Sequence, residues 1–212
     1  MLSLNKINVD IGPVGIIKKA SLSLSQGEMV GLIGRNGAGK TTLLKTIMGI
    51  LKTKSGEIAF ENEDLVTLPS EKRAQMLIGY MPEDRRLVPD LSVKDNIMVP
   101  LWSLNKKNVN ESLEEVISFI PELKDFMERQ AFQLSGGQQK LVALARAMVV
   151  GKKLLLLDEP FEGVAPALAE RLVELISSLN KSNLITMITE SDETFSKKIK
   201  ADIIRIERGK IL

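Results

Sequence analysis

Val30-Gly31-Leu32-Ile33-Gly34-Arg35-Asn36-Gly37-Ala38-Gly39-Lys40-Thr41-Thr42 (VGLIGRNGAGKTT) runs from an apolar segment through a glycine-rich loop into a helical stretch, Lys40 to Ile50. Gly34 to Thr41 matches G-x-x-x-x-G-K-[ST] and stands between strand and helix, where its mechanism requires it. Glycines let successive backbone N–H groups turn inward as a nest for phosphate oxygens, and the helix that follows adds its positive end. Lys40 can then reach the β- and γ-phosphates, while the Thr41 hydroxyl is a hard oxygen suited to Mg²⁺. Gly34, Arg35, Asn36, Gly37, Ala38, Gly39, Lys40, Thr41 and Thr42 are therefore the candidate contacts to a nucleotide triphosphate. The competing reading is a glycine-rich turn carrying a surface lysine; the strand and helix on either side weigh against it.

Outward from the loop, short apolar runs recur at Leu77 to Met81, Leu154 to Leu157 and Leu184 to Ile188. With Val30 to Ile33 they have the pattern of strands buried on both faces of a mainly parallel sheet. Pro166 to Leu179 opens with a proline suited to a first helical turn and repeats apolar residues at Leu168, Leu172, Leu175, Ile176 and Leu179. Strand, loop and helix in repetition predict an α/β fold. Leu2 to Val9, Ile16 to Leu24 and Ile58 to Phe60 read as an antiparallel portion. Ile203 to Ile206, a turn at Arg208-Gly209 and Lys210 to Leu212 read as a terminal hairpin. From about Asp84 to Val150 helical segments dominate, expected to break at Pro89, Pro100 and Pro121. This predicts a helical subdomain, 84–150, inserted between core segments 1–83 and 151–212 of a single domain spanning 1–212.

The 212 residues suffice for a real core, and 44% apolar with 26% charged residues is an ordinary globular balance. A formal charge of +2, from 29 basic and 27 acidic residues, gives no pull toward nucleic acid, and none is expected as a partner. Lys152-Lys153, Lys106-Lys107 and Lys197-Lys198-Ile199-Lys200 are read as solvated surface. There is no cysteine, which excludes disulfides and thiolate metal sites and fits a reducing compartment, and no histidine. Met1 to Val9 alternates and carries Lys6, so it reads as a strand and not as a cleavable signal. No window approaches the run of about 18 apolar residues a spanning helix requires. The expectation is a chain that is soluble or held at a membrane by a partner.

Two further segments carry chemistry. Leu154 to Leu157 delivers Asp158 and Glu159 to the sheet edge where ligands bind in open α/β folds. There Asp158 would hold Mg²⁺, usually through water, and Glu159 would orient the attacking water. Acidic residues after a buried strand are often only chain re-entering solvent, a reading the upstream loop makes weaker. Leu134-Ser135-Gly136-Gly137-Gln138 (LSGGQ) precedes a helix from about Gln139 to Val149. Ser135 is a natural cap, and Gly136, Gly137 and Gln138 sit where backbone can approach an anion at a positive helix end. One nucleotide does not need two phosphate-binding elements in one chain.

These three segments in this order resemble the ATP-binding cassette family, over essentially the whole chain. The resemblance implies a RecA-like core, an antiparallel β portion and a helical subdomain. It also implies that LSGGQ completes the site of a second ATPase subunit, so that two ATP molecules are sandwiched head to tail in a homo- or heterodimer. Transmembrane permease subunits would then hold the pair at the cytoplasmic, inner face of the cell membrane.

Departures from the family pattern narrow the assignment. Where most cassettes place a glutamine near Mg²⁺, this chain has Glu83, still a hard oxygen ligand. Where most carry a histidine toward the γ-phosphate, the stretch Ile188-Thr189-Glu190-Ser191-Asp192 puts Ser191. The aromatic that stacks on adenine is replaced by Ile11, and the crossover loop Glu162-Gly163-Val164-Ala165-Pro166 has alanine in place of an aspartate. PEDRRLVPDLSVKDNI (82–97), DEPFEGVAP (158–166) and TES (189–191) look like the second of two ATP-binding subunits in uptake systems for branched-chain amino acids or amides. Lipopolysaccharide-export cassettes rank second. The resemblance implies an ATPase whose motion passes to the permease through a groove near Glu83 and Arg85-Arg86. Its own half-site would be slow without the histidine. A nucleotide-switched binding module with little hydrolysis is the alternative, and a cassette acting in translation or DNA repair is weaker still.

Overall fold

The computed structural model describes residues 1–104, 109–180 and 183–212. Lys106-Lys107 lies outside them. Ten strands and seven α-helices are described: β1 (Leu2–Ile11), β2 (Val14–Leu24), β3 (Met29–Ile33), α1 (Lys40–Ile47), β4 (Ser55–Phe60), β5 (Glu63–Asp64), α2 (Ser70–Gln75), β6 (Ile78–Met81), α3 (Val93–Ser103), α4 (Val109–Phe119), α5 (Gly136–Val150), β7 (Leu154–Asp158), α6 (Pro166–Leu179), β8 (Ile185–Glu190), α7 (Thr194–Lys198), β9 (Asp202–Glu207) and β10 (Lys210–Ile211).

Strands form a four-stranded sheet in the order β2-β1-β4-β5 and a six-stranded sheet in the order β10-β9-β3-β8-β7-β6. The first is antiparallel. The second is parallel except at its β10 edge, so the terminal hairpin is present as expected. All five residues of β3 and of β7 are buried. Leu154 and Leu156 face a core shared with α1 and the antiparallel sheet, whereas Leu155 and Leu157 face one shared with α3, α5 and α6. An unbroken apolar run in β7 is thus what a strand covered on both faces requires.

Register fixes the functional edge. Ile33 lies beside Glu190, Asp158 beside Thr189, and Met81 beside Leu157. Everything after these strand ends, namely Gly34, Glu83, Glu159 and Ser191, therefore emerges on one side of the sheet.

Two expectations need correction. α1 stops at Ile47, short of Ile50, because Gly49 takes a left-handed φ of 74° and the buried Arg73 guanidinium donates to the Thr46 and Ile47 carbonyls at 2.7 and 2.8 Å. A side-chain cation satisfies the last-turn carbonyls that a longer helix would have paired. Pro100 does not break its helix; it lies inside α3. Proline removes one intrahelical donor, but here it falls in the last turns, and Leu104 N–H still closes onto the Pro100 carbonyl at 3.2 Å. Pro121, as expected, ends α4's run and opens a 3₁₀ turn, Pro121–Phe126.

Between β6 and β7 the described residues include α3, α4 and α5, and α5 packs on α3 and against β6. A Cβ on Gly79 would sit 2.2 Å from the Ala147 carbonyl, so glycine in β6 is what lets α5 approach. The lysine clusters within the described residues are surface ion pairs: Lys152 with Glu115, Lys153 with Glu61, Lys197 with Glu193 and Lys198 with Glu170.

Candidate functional site

Gly34 leaves β3 with its N–H donating to the Glu190 carbonyl at 3.1 Å. A Cβ there would sit 2.4 Å from the Ile206 carbonyl, so only glycine lets the loop start this close to β9. Lys40 is the first residue of α1, and Gly39 caps it in a left-handed conformation. The Lys40 ammonium donates to the Gly34 carbonyl at 2.5 Å and pairs with Glu159 Oε1 at 3.0 Å, with only 3% and 7% of the two side chains exposed. The first motif and the carboxylate after β7 therefore meet directly.

Asp158 is fully buried and closes the other side. Its Oδ1 accepts from Thr41 Oγ1 at 3.0 Å and from Thr189 Oγ1 at 2.8 Å; its Oδ2 accepts from the Tyr80 hydroxyl at 3.0 Å. Thr189 also accepts from the Glu159 N–H at 3.1 Å, fixing both acidic residues from one hydroxyl. Glu159 sits at φ 48°, a strained left-handed conformation for a non-glycine residue. A cleft of about 380 Å³ opens between these groups, lined by Lys40, Thr41, Thr42, Glu83, Glu159 and Glu162 together with loop residues Asn36, Gly37 and Gly39 and the aliphatic Ile16.

The charges are arranged unevenly. Burial works to raise the Glu159 carboxyl, but its hydrogen bond with Glu162 and the Lys40 ammonium win and hold it below the ordinary carboxylate range. Glu162 is pushed up by that same hydrogen bond and by the Glu159 charge. Burial raises Tyr80, with Asp158 adding to the shift, so Tyr80 stays a donor. Burial also pushes the Glu190 carboxyl up to about 8.

Sequence candidates are distributed as follows. Lys40, Thr41, Thr42, Glu83 and Glu159 line the cleft, and Asp158 lies beneath it. Ser191 reaches the loop by donating to Asn36 Oδ1 at 3.1 Å, but it lines a neighbouring cavity of about 600 Å³ that also touches Gly34 to Ala38, Arg205 and Arg208. Ile11 ends β1, 48% exposed, and Ile16 is the aliphatic residue against the cleft. Ser135 caps α5 reciprocally: its Oγ accepts from Gln138 N–H at 3.2 Å and its own N–H donates to Gln138 Oε1 at 3.0 Å. None of Ser135, Gly136, Gly137 or Gln138 lines this chain's cleft. Arg86 lines a separate groove of about 350 Å³ with Tyr80, Pro82, Val99 and Arg146, while Glu83 lines the cleft beside Lys40 and Glu159.

Sequence reasoning passed over Tyr80, Thr189 and Lys140. Tyr80 and Thr189 were findable, since each lies on a strand whose end carries a candidate. Lys140 gave no signal, because nothing in a helical lysine announces burial.

The family described as ABC transporter matches residues 17–162. The chain belongs to that family. It is 34% identical, over all 212 of its residues and 91% of the relative, to the high-affinity branched-chain amino acid transport ATP-binding protein BraG of Pseudomonas aeruginosa. It is 37% identical to the lipopolysaccharide export system ATP-binding protein LptB of Escherichia coli over 182 residues, covering 82% of this chain and 73% of the relative. The solved ADP conformation of MJ1267, an ATP-binding cassette of an ABC transporter, superposes with a TM-score of 0.82 at 27% identity, covering 100% of this chain and 89% of that one. The dimeric cassette MJ0796, at 24% identity and a TM-score of 0.87, shares the fold. The chain is thus an ATP-binding subunit of ABC-transporter type and an ATPase, with the α/β fold and antiparallel portion expected. Among the described residues no helix is long and apolar enough to cross a membrane.

Proposed function

We propose that this chain powers a membrane permease for branched-chain amino acids or similar small polar solutes, working as one of two ATPase subunits at the inner membrane face. The observation that supports the chemistry best is the meeting of Lys40, Thr41, Asp158 and Glu159 around one cleft. The cargo class rests on the full-length likeness to a branched-chain amino acid transport subunit.

In this reading, loop N–H groups from Gly34 to Thr42 and the Lys40 ammonium grip the β- and γ-phosphates. Glu159 leaves its pairing with Lys40 to orient the attacking water, and its depressed protonation keeps it an acceptor. Thr41, Asp158 and Glu83 would hold Mg²⁺. The donor set fits: a hydroxyl and carboxylates at one edge, and among the described residues no group of three or more His, Cys, Asp or Glu side chains that would cage a cation alone. Mg²⁺ takes one or two carboxylates and completes its shell with phosphate oxygens and water. When bound, it neutralises charge developing on the phosphates. Ser191 sits at the loop on the side of the second cavity, and Ile11 or Ile16 would pack on the base. Ser135 to Gln138, which do not line the chain's own cleft, serve the opposite subunit's nucleotide. Residues 84–150 move as a helical subdomain against 1–83 and 151–212, and the Arg86 groove receives the permease.

The lipopolysaccharide-export reading is kept by its 37% identity over 182 residues. Purified chain should hydrolyse ATP only with Mg²⁺. Reconstituted with its permease, turnover should rise with a branched-chain amino acid presented by a binding protein. Stimulation by lipopolysaccharide instead would reverse the cargo assignment.

A further inference from the structure

Lys140 is the fifth residue of α5 and only 5% exposed. Its ammonium donates to the Glu159 carbonyl at 3.0 Å and to the Glu162 carbonyl at 2.7 Å. The Glu162 N–H closes the same turn onto the Glu159 carbonyl at 3.2 Å. One side chain from a distant helix thus spans both ends of the turn that displays Glu159 at φ 48°. A buried ammonium is tolerated only where acceptors and opposite charge surround it. Here the acceptors are the two carbonyls; burial pushes the Lys140 ammonium down, and the carboxyls of Glu162 after β7 and Glu83 after β6 work against that, with Arg85 opposed to them. A strained residue persists only where its surroundings over-determine it. Glu159 is held on one side by Thr189 and on the other by Lys140.

Lys140 also stands four residues into the helix that Ser135 caps, about 6 Å along its axis at 1.5 Å per residue. Helical hydrogen bonding sets the spacing between the capped first turn and Lys140, so that turn and the Glu159 turn are joined through one ammonium.

We propose that Lys140 is a positioning residue for hydrolysis, one that locks the Glu159 turn and couples it to the Ser135–Gln138 turn at the start of α5. This rests on the roles given above to Glu159 and to the signature turn. In a head-to-tail pair, those two elements of one chain serve different nucleotides. Closure of the signature on one phosphate is then felt at the water-orienting carboxylate of the other cleft.

The test uses the full chain with Lys140→Met, which keeps the stem and removes the donors, and Lys140→Gln, which keeps a shorter donor. ATP affinity is read with a fluorescent nucleotide, turnover by phosphate release, and folding by thermal melting. Turnover by Lys140→Met should fall about 10- to 100-fold while ATP affinity stays within about twofold, because a misplaced group loses rate before binding. Lys140→Gln should lie between. Combined with Ser135→Ala, the losses should be non-additive. Wild-type turnover in folded variants, equal losses of affinity and turnover, or additive losses would overturn the proposal. So would failure of both variants to fold, which makes the lysine a support of the core. Wild-type protein that neither binds nor hydrolyses ATP would instead sink the functional reading beneath it.

Discussion

Replacing Glu190 with glutamine should make this protein less sensitive to rising pH, by an amount the structure supplies. Glu190 ends β8, is 7% exposed, and accepts the Phe161 N–H at 3.3 Å through Oε1. Burial raises its carboxyl from an ordinary 4.5 to about 8, with Lys140 opposing the shift. Between those values the native chain holds a proton that the unfolded chain has released. Wild-type stability therefore falls as pH rises through that window and levels off above it. At about 1.4 kcal/mol per pKa unit, the passage from pH 5 to pH 8 should remove about 3 kcal/mol. Glu190→Gln is nearly isosteric, keeps an acceptor for Phe161 and does not titrate. Urea unfolding of both proteins at pH 5, 6, 7 and 8 isolates the effect, since every other group titrates in both. The stability gap in favour of the variant should widen by about 2–4 kcal/mol across the series. Parallel curves, within about 0.5 kcal/mol at all four pH values, would show that Glu190 is ionised in the native state and refute the reasoning.

Glu159→Gln removes the carboxylate that faces Lys40 at 3.0 Å while leaving the phosphate loop in place. Turnover should drop about 100-fold or more, and size-exclusion chromatography with ATP should reveal a persistent dimer; a monomer under those conditions would oppose the head-to-tail reading. Tyr80→Phe strips one donor from Asp158 Oδ2, so stability in urea should fall by about 1.5–3 kcal/mol, the range for a hydrogen bond to a charged group. An unchanged midpoint would mean the hydroxyl is as well served by water.

The legible part of the fold was the part written in local pattern. Leu154 to Leu157 could only be a strand covered twice, and Pro166 to Leu179 matched its helix because proline and apolar spacing agreed over its length. Less legible were the features decided at a distance. Nothing within Lys40 to Ile50 shows that Arg73 will cap the helix early, and nothing near Pro100 shows that its neighbours will hold α3 together.

The same division runs through the candidate site. Local motif brought out Gly34 to Thr41, the presence of that loop upstream gave weight to Asp158 with Glu159, and motif together with family resemblance brought out Ser135 to Gln138; each lies within a few residues of a strand end or helix start. Sequence order could not say that Lys40 and Glu159 touch, that Tyr80 and Thr189 share Asp158, that Ser191 leans on Asn36, or that Lys140 is buried under the Glu159 turn. Those pairings join residues far apart in the chain, and only the register of β3, β6, β7 and β8 sets them side by side. Short-range pattern set where along the chain the candidate residues fall, at strand ends and helix starts; burial of two sheet faces at long range fixed which of them meet.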